Sequence, residues 1–354
     1  MRIACITDQH VGVRNDSIAL LDYFDKFYTE QFFPVLQEEG IDTIIDLGDL
    51  FDRRKYINFF TLARVRQFFF EPIRKNNLKL HLVLGNHDIV FKNTSNINSP
   101  KLLLNEYSSN IKIYKDPTVI ELDGLKIQLI PWINAENIES SMYVLDKSSA
   151  EIAMGHLEIY GFEMHKGSFM YTGFDRKLFE KFDIVASGHF HHKSQQDQII
   201  YLGAPCQYTW NDFDDDRGFH IFDTATRKFE YHKNPLKMFQ KIHYDDENKT
   251  VEQLLDQDFS KYKNSYVKLI VRNKLNPYWF DLFVDKLESI GLVDLQIVED
   301  HLNLNLKDDN NIISEVEDTV DILNKYVDKL EIKTDKEKLK AMLIQLHNEA
   351  LNEE

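Results

Sequence analysis

Three things are scarce in this 354-residue chain, and each scarcity removes a class of protein. Cysteine occurs only twice, as Cys5 and Cys206, far apart and outside any CxxC pair. That excludes a disulfide framework and a thiolate zinc site, and it fits a reducing compartment. No apolar run approaches the roughly 18 residues that a membrane-spanning helix needs. Residues 1–8 carry polar side chains too early for a signal peptide, so a cytoplasmic protein is expected (the host cytoplasm, if the chain comes from a phage). Positive charge is in deficit as well: 42 Lys and Arg face 58 Asp and Glu, a net charge of −16. This argues against a broad basic surface that grips nucleic acid by charge alone, and leaves room for local patches.

What is present is globular. Hydrophobic residues make up 43% and charged residues 28%, which excludes a disordered chain, a collagen and a disulfide-stapled miniprotein. At about 150 residues per domain the length predicts two domains and a tail. Short apolar runs at residues 3–6, 43–47 and 80–84 alternate with amphipathic stretches at 17–39 and 58–75. That is β-α-β-α-β, a mostly parallel sheet with helices on its faces. Pro34 should kink or restart the first helix, because it lacks a backbone donor. From residue 111 the pattern turns strand-rich, with candidates at 111–114, 118–122, 125–131, 152–155, 184–188, 199–202 and 219–222. Asp123-Gly124 reads as a tight hairpin turn. This first domain is expected to span 1–235. Residues 236–305 read as a small α/β domain: strands at 266–271 and 293–298, with a helix between them capped by Asn276-Pro277 and closed by Gly291. In 306–354, Ile313, Val316, Val320, Leu323, Val327 and Leu330 form a coiled-coil-like stripe of a helical tail.

Five motifs follow predicted strands, where open α/β sheets place ligands. They are Asp8-Gln9-His10, Gly48-Asp49-Leu50-Phe51-Asp52, Gly85-Asn86-His87-Asp88, Gly155-His156 and Gly188-His189-Phe190-His191. Each alone has an ordinary structural explanation, such as a turn, a helix cap or a hydrogen-bonded histidine. All five in this order are hard to attribute to chance. Carboxylates, imidazoles and one amide, with no thiolate, suit hard or borderline divalent ions. Two ions about 3.5–4 Å apart can clamp the attacking and leaving oxygens of a phosphoryl centre and activate a shared water. The chemistry predicted is hydrolysis of a phosphate ester.

The order DxH, GDxxD, GNHD, GH, GHxH resembles the calcineurin-like metallophosphoesterases. That resemblance implies their sandwich of mixed sheets flanked by helices. It implies that Asp8, His10, Asp49 and His191 hold one metal and that Asp49, Asn86, His156 and His189 hold the other, with Asp49 bridging. His87 would stabilise the transition state or protonate the leaving oxygen, and Asp88 would orient His87 or a ligand. The GDxFD form, Pro131-Trp132 and Tyr201-Leu202-Gly203-Ala204-Pro205 are similar to the SbcD-type DNA repair nucleases, their phage recombination members above all. A protein Ser/Thr phosphatase would read GDxxDRG and GNHE. The likeness implies two divalent ions, with Mn²⁺ expected and Mg²⁺ or Fe²⁺ as alternatives. It implies 3′-to-5′ exonuclease action on duplex DNA and endonuclease action on single strands. It also implies a homodimer and an SbcC-type, SMC-like ATPase partner that docks the C-terminal helices; no membrane is involved. The region 236–305 would be a DNA-binding cap.

Arg53, Arg54, Lys55 and Lys92 lie just after the second and third motifs and are candidate contacts to the DNA backbone; an ordinary solvated charge run is the competing reading. The cluster Phe59, Phe60, Phe68, Phe69 and Phe70 is expected to be mostly core, with a surplus for a dimer contact. Two other functions share this pattern. A small-molecule or cyclic-nucleotide phosphodiesterase would use the same metals without cap or tail. A non-enzymatic scaffold would have lost ligands, whereas here every ligand position is filled.

Overall fold

Side chains alternate along the first strand, and that alternation sets the layering. In Arg2–Ile6, Ile3 and Cys5 enter one core while Ala4 and Ile6 enter another, and all four are buried. A strand buried on both faces belongs inside a layered α/β fold. The computed structural model describes residues 1–165, 168–299 and, beyond these, 327, 336, 338–340, 342 and 343. The predicted tail of 306–354 therefore lies almost wholly outside the described residues.

Two six-stranded sheets carry the first unit. In chain order the strands are β1 (Arg2–Ile6), β2 (Thr43–Asp46), β3 (Lys79–Val83), β4 (Ile111–Tyr114), β5 (Thr118–Leu122) and β6 (Leu125–Ile130). There follow β7 (Ile152–His156), β8 (Ile184–Gly188), β9 (Ser194–Gln196), β10 (Ile199–Tyr201), β11 (Gly218–Asp223) and β12 (Lys228–Lys233). One sheet runs β12-β11-β1-β2-β3-β4 and the other β9-β10-β8-β7-β6-β5. The inner strands are parallel: β1 through β4 in the first sheet, β6, β7, β8 and β10 in the second. β11 and β12 join the first sheet antiparallel, as β5 and β9 do the second, while the β4 edge stays parallel. Asp123 and Gly124 both take positive φ in the β5–β6 hairpin, as a tight primed turn requires. The fold is thus a mixed α/β sandwich, as expected.

Three buried clusters hold the layers. Ile3, Cys5, Ile45 and Val83 meet Ile127, Leu129, Ile152 and Met154 in one core, shared by the two sheets. The outer face of the first sheet packs on helices α1 (Ile18–Phe27), α2 (Phe33–Glu38), α3 (Phe59–Val65) and α4 (Glu71–Lys75). The outer face of the second buries Ala153, Val185 and Tyr201 with Phe162 and Phe179. Both helical stretches widen into one π turn just before a proline, at Tyr28–Phe32 before Pro34 and at Arg66–Phe70 before Pro72. The Phe33 N–H reaches the Tyr28 carbonyl, and the Glu71 N–H reaches that of Arg66. This i→i+5 bonding accommodates a ring that lacks its own donor. Phe68, Phe69 and Phe70 are core, whereas Phe59 is 86% exposed and Phe60 is exposed too.

The second unit comprises residues 241–261, 267–290 and the chain from 294. Its strands belong to a three-stranded sheet of β13 (Phe239–Asp245), β14 (Tyr266–Asn273) and β15 (Asp294–Glu299). Helix α5 (Pro277–Ser289) begins where the Asn276 side chain accepts the Trp279 N–H. Tyr244 and Phe259 pack edge-on against Phe283 in its core. Strands β9, β12 and β13 carry no apolar run strong enough to announce them; β9 and β12 are sheet edges whose side chains are largely solvated.

Candidate active site

The parallel strands of both sheets end at one place, and their loops carry all five motifs. Asp8 and His10 follow β1, Asp49 follows β2, and Asn86, His87 and Asp88 follow β3. His156 ends β7, and His189 and His191 follow β8. Backbone bonds lock these loops together: the Asp8 N–H donates to the Gly48 carbonyl at 2.8 Å and the His10 N–H to that of Asp49 at 3.0 Å. Asp8, His10, Asp49 and His189 all adopt positive φ, between 44° and 89°. Such non-glycine backbone costs on the order of 1–3 kcal/mol per residue and persists where its surroundings over-determine it. Gly85 is there for close approach, since a Cβ would run into the Asp49 backbone and carboxylate.

The functional atoms fall into two adjacent sets. Ligand atoms of Asp8, His10 and His191 lie within 4.8 Å of one another, as do those of Asp49, His156 and His189. Asp49 stands between them, with Oδ2 3.3 Å from His156 Nε2 and 3.7 Å from His10 Nε2. His10 Nε2 and His191 Nε2 approach to 3.0 Å. The Asn86 oxygen sits 3.0 Å from His156 Nε2 and 3.1 Å from His189 Nδ1. The His156 Nδ1 lies 2.8 Å from the Leu47 carbonyl, which makes Nδ1 the donor and turns the Nε2 lone pair inward. In this amide orientation the Asn86 oxygen therefore faces ring nitrogens of both His156 and His189. A divalent cation satisfies such a set; with protein groups alone, the amide would turn over to donate to both histidines.

Electrostatics point the same way. Burial alone would raise Asp49, but the imidazoles of His156, His87 and His10 hold it well below the usual carboxylate range. Burial works against charge on His156, yet Asp49 and Asp8 raise it to about 9. His10 is likewise raised to about 9 against burial, by the carboxylates of Asp52, Asp49 and Asp8. The carboxylate field thus favours a cation at these nitrogens, a proton or a metal ion.

His87 and Asp88 occupy different positions. The His87 N–H donates to Asp49 Oδ1 at 2.7 Å, and its Nδ1 lies 2.5 Å from the Asp52 carbonyl. Burial pulls its pKa down, despite Asp49. Asp88 is fully buried and accepts from the N–H groups of Asp49 (2.9 Å), Leu50 (3.1 Å) and Gly85 (2.9 Å). It grips the backbone that presents Asp49, while burial beside that carboxylate raises it to about 7.

The four candidate DNA cations do not share a setting. Arg53 is ion-paired to Asp16 at 3.0 Å and lies over the Tyr56 ring. Arg54 is half-buried, with Nη2 3.1 Å from the Asn86 carboxamide. Lys55 and Lys92 are exposed. Trp132, singled out in the sequence with Pro131, lies 4.9 Å from the His189 ring. Two contacts escaped the sequence reading: Glu158 meets His189 Nε2 at 3.6 Å, and Tyr208 donates to the Asp8 carbonyl at 2.5 Å. Of these two, Glu158 alone had a sequence cue, its place two residues beyond His156.

A profile of the calcineurin-like phosphoesterases matches residues 1–193. The chain belongs to that family. This phosphoesterase is 31% identical over 322 residues to exonuclease subunit 1 of Enterobacteria phage T4, covering 91% of the chain and 89% of the relative. It is 23% identical to the SbcD component of nuclease SbcCD from Staphylococcus saprophyticus, over 68% of the chain and 70% of the relative. It is also 23% identical to the DNA double-strand break repair protein Mre11 of Methanocaldococcus jannaschii, over 89% and 87%. Membership in the family implies divalent metal ions, and the two acceptor sets are where the residues of this phosphoesterase fit them. Among the described residues no helix is long and apolar enough to cross a membrane.

Proposed function

We propose that the chain is a two-metal DNA nuclease of recombination and repair. It acts in the cytoplasm, as a homodimer, with an SMC-like ATPase of the SbcC type. The observation that carries this reading is the pair of acceptor sets with Asp49 Oδ2 within 4 Å of a histidine of each, joined to three relatives whose names all describe DNA nucleases or break repair. Asp8, His10, Asp49 and His191 hold one ion; Asp49, Asn86, His156 and His189 hold the other. The ions, Mn²⁺ in this reading, supply an activated water and neutralise charge on the scissile phosphate. His87 sits beside that phosphate. Its Nδ1–H is committed to the Asp52 carbonyl, so Nε2 is the nitrogen that faces the leaving oxygen, and it gives that oxygen a proton from the doubly protonated imidazolium, the form the Asp49 carboxylate favours. Asp88 fixes Asp49 from behind. Arg54, Lys55 and Lys92 contact the DNA backbone, and Arg53 does so only if its pair with Asp16 opens. Residues 236–305 act as a DNA-binding cap, and the segment 306–354 docks the ATPase. The duplex activity is 3′-to-5′ exonucleolytic and the single-strand activity endonucleolytic.

The test is degradation of linear duplex and single-stranded DNA by the purified chain with Mn²⁺, beside Asp8→Ala and His87→Ala. Cleavage that requires Mn²⁺ and is lost in both variants is the expected outcome. Hydrolysis of small phosphodiesters without any attack on DNA, alone or with an SbcC-type partner, would overturn the substrate assignment.

A further inference from the structure

The metal-site loops are braced by a buried ionic frame that contributes no ligand. Arg217 begins the approach to β11 and is 3% exposed. Its Nη2 meets Asp212 at 2.5 Å and Asp215 at 3.0 Å, and its Nη1 donates to the backbone carbonyl of His191. That carbonyl also accepts the Ala204 N–H at 3.0 Å. Asp212 extends the frame, because its other oxygen accepts the N–H groups of Tyr208 (2.6 Å) and Thr209 (2.9 Å). The Tyr208 hydroxyl then donates to the Asp8 carbonyl, and its ring packs 5.8 Å from that of His10 and 5.6 Å from that of His191. Asp215 closes the other side, with both oxygens 3.0 Å from His192 Nδ1. One guanidinium is thus tied to the backbone on both sides of one metal set, at His191 directly and at Asp8 through Asp212 and Tyr208.

From this we infer that Arg217 is a positioning residue for the ion held by Asp8, His10 and His191. The inference rests on the metal-site reading above. A rigid, planar fork can hold two carboxylates and a carbonyl at once, whereas a lysine ammonium is a single point donor on a flexible stem. A ligand displaced by a fraction of an ångström loses metal affinity before the fold is lost, and outer-shell changes of this kind typically cost about 10- to 100-fold in metal affinity.

The experiment is a Mn²⁺ titration of the full chain, followed by calorimetry and by the electron paramagnetic resonance of bound Mn²⁺. Arg217→Lys and Tyr208→Phe are compared with wild type, and Arg227→Ala serves as control because Arg227 makes only exposed pairs with Asp183 and Glu151. Expected are two ions in wild type and in the control, and one ion weakened about 10- to 100-fold in both Arg217→Lys and Tyr208→Phe, with the second ion unchanged. Phosphodiesterase activity of these variants should fall at limiting Mn²⁺ and recover at excess Mn²⁺, which general destabilisation would not produce. Tyr208→Phe keeps the ring packing and the charges, so it reports even if Arg217→Lys fails to fold. Two ions bound with wild-type affinity in the folded variants would overturn the positioning role alone. No ion pair in wild type would overturn the metal-site reading beneath it.

Discussion

A single carboxylate shows how the site is built from behind. Asp88 has no role as a ligand in the geometry seen here; its two oxygens collect three backbone N–H groups, including that of Asp49. An ionised carboxylate offers acceptors on both oxygens, whereas an amide offers one oxygen and presents its NH₂ to the remaining donors. Asp88→Asn therefore leaves at least one buried N–H unsatisfied, at a cost of about 1–3 kcal/mol. The Asp49 backbone shifts with it, so metal affinity should fall about 10- to 100-fold. Chemical denaturation with and without Mn²⁺ separates the two effects: the midpoint drops without metal, and the gain on adding Mn²⁺ shrinks. An unchanged metal-dependent gain would show that Asp88 serves stability only. In the sequence, Asp88 was legible as part of GNHD, but not what it would hold. Two of its three partners lie 38 and 39 residues away and meet it only because β2 and β3 are neighbours in one sheet.

At the scale of elements, the site exists because strand ends come very close. Gly188 ends β8, and a Cβ there would collide with the Thr7 hydroxyl and lie 3.1 Å from both Asp8 Oδ2 and His156 Nδ1. The two sheets converge at this residue, with no space for a methyl group. Gly188→Ala is predicted to cost about 1–3 kcal/mol, the usual range for overpacking. It should also abolish tight binding of the ion pair, read by thermal melting and Mn²⁺ titration. Wild-type metal binding in the alanine variant would mean that the close approach is incidental. The strand pattern that leads to Gly188 was readable because β1, β2, β3, β7 and β8 are dense in β-branched and aliphatic residues. Edge strands β9 and β12 were not, because solvated side chains on an edge satisfy no hydrophobic period. The helices at 17–39, 58–75 and 277–289 were readable too, including the restart at Pro34, whereas Ile138–Lys147 was not, and the π turns that accommodate Pro34 and Pro72 come from backbone bonding that composition does not encode.

For the whole molecule, the division into two compact units predicts that metal acts on only one of them. Every candidate ligand lies within residues 1–240. An ion that binds the native state at 100 times its Kd adds about 2.7 kcal/mol to stability. Scanning calorimetry with Mn²⁺ should move the heat absorption of the first unit upward, reversibly with chelator, and leave that of the second where it was. A shift of both together would refute independent unfolding, and a shift of neither would refute tight metal binding. The net charge of −16 adds a constraint at this scale. Little non-specific attraction to a polyanion is available, so the DNA contacts proposed above must be local.

By itself the sequence determined the layered α/β class, the run of parallel strands and the residue types that gather at their ends. These follow from period, β-branched content and turn chemistry, which are local properties of a chain. Tertiary structure alone decided that Asp88 holds the Asp49 backbone and that Arg53 is already paired to Asp16. It also brought Arg217 to the His191 carbonyl across 26 residues and Tyr208 to Asp8 across 200. Contacts of that separation are set by the packing of two sheets, and no window of sequence contains both partners.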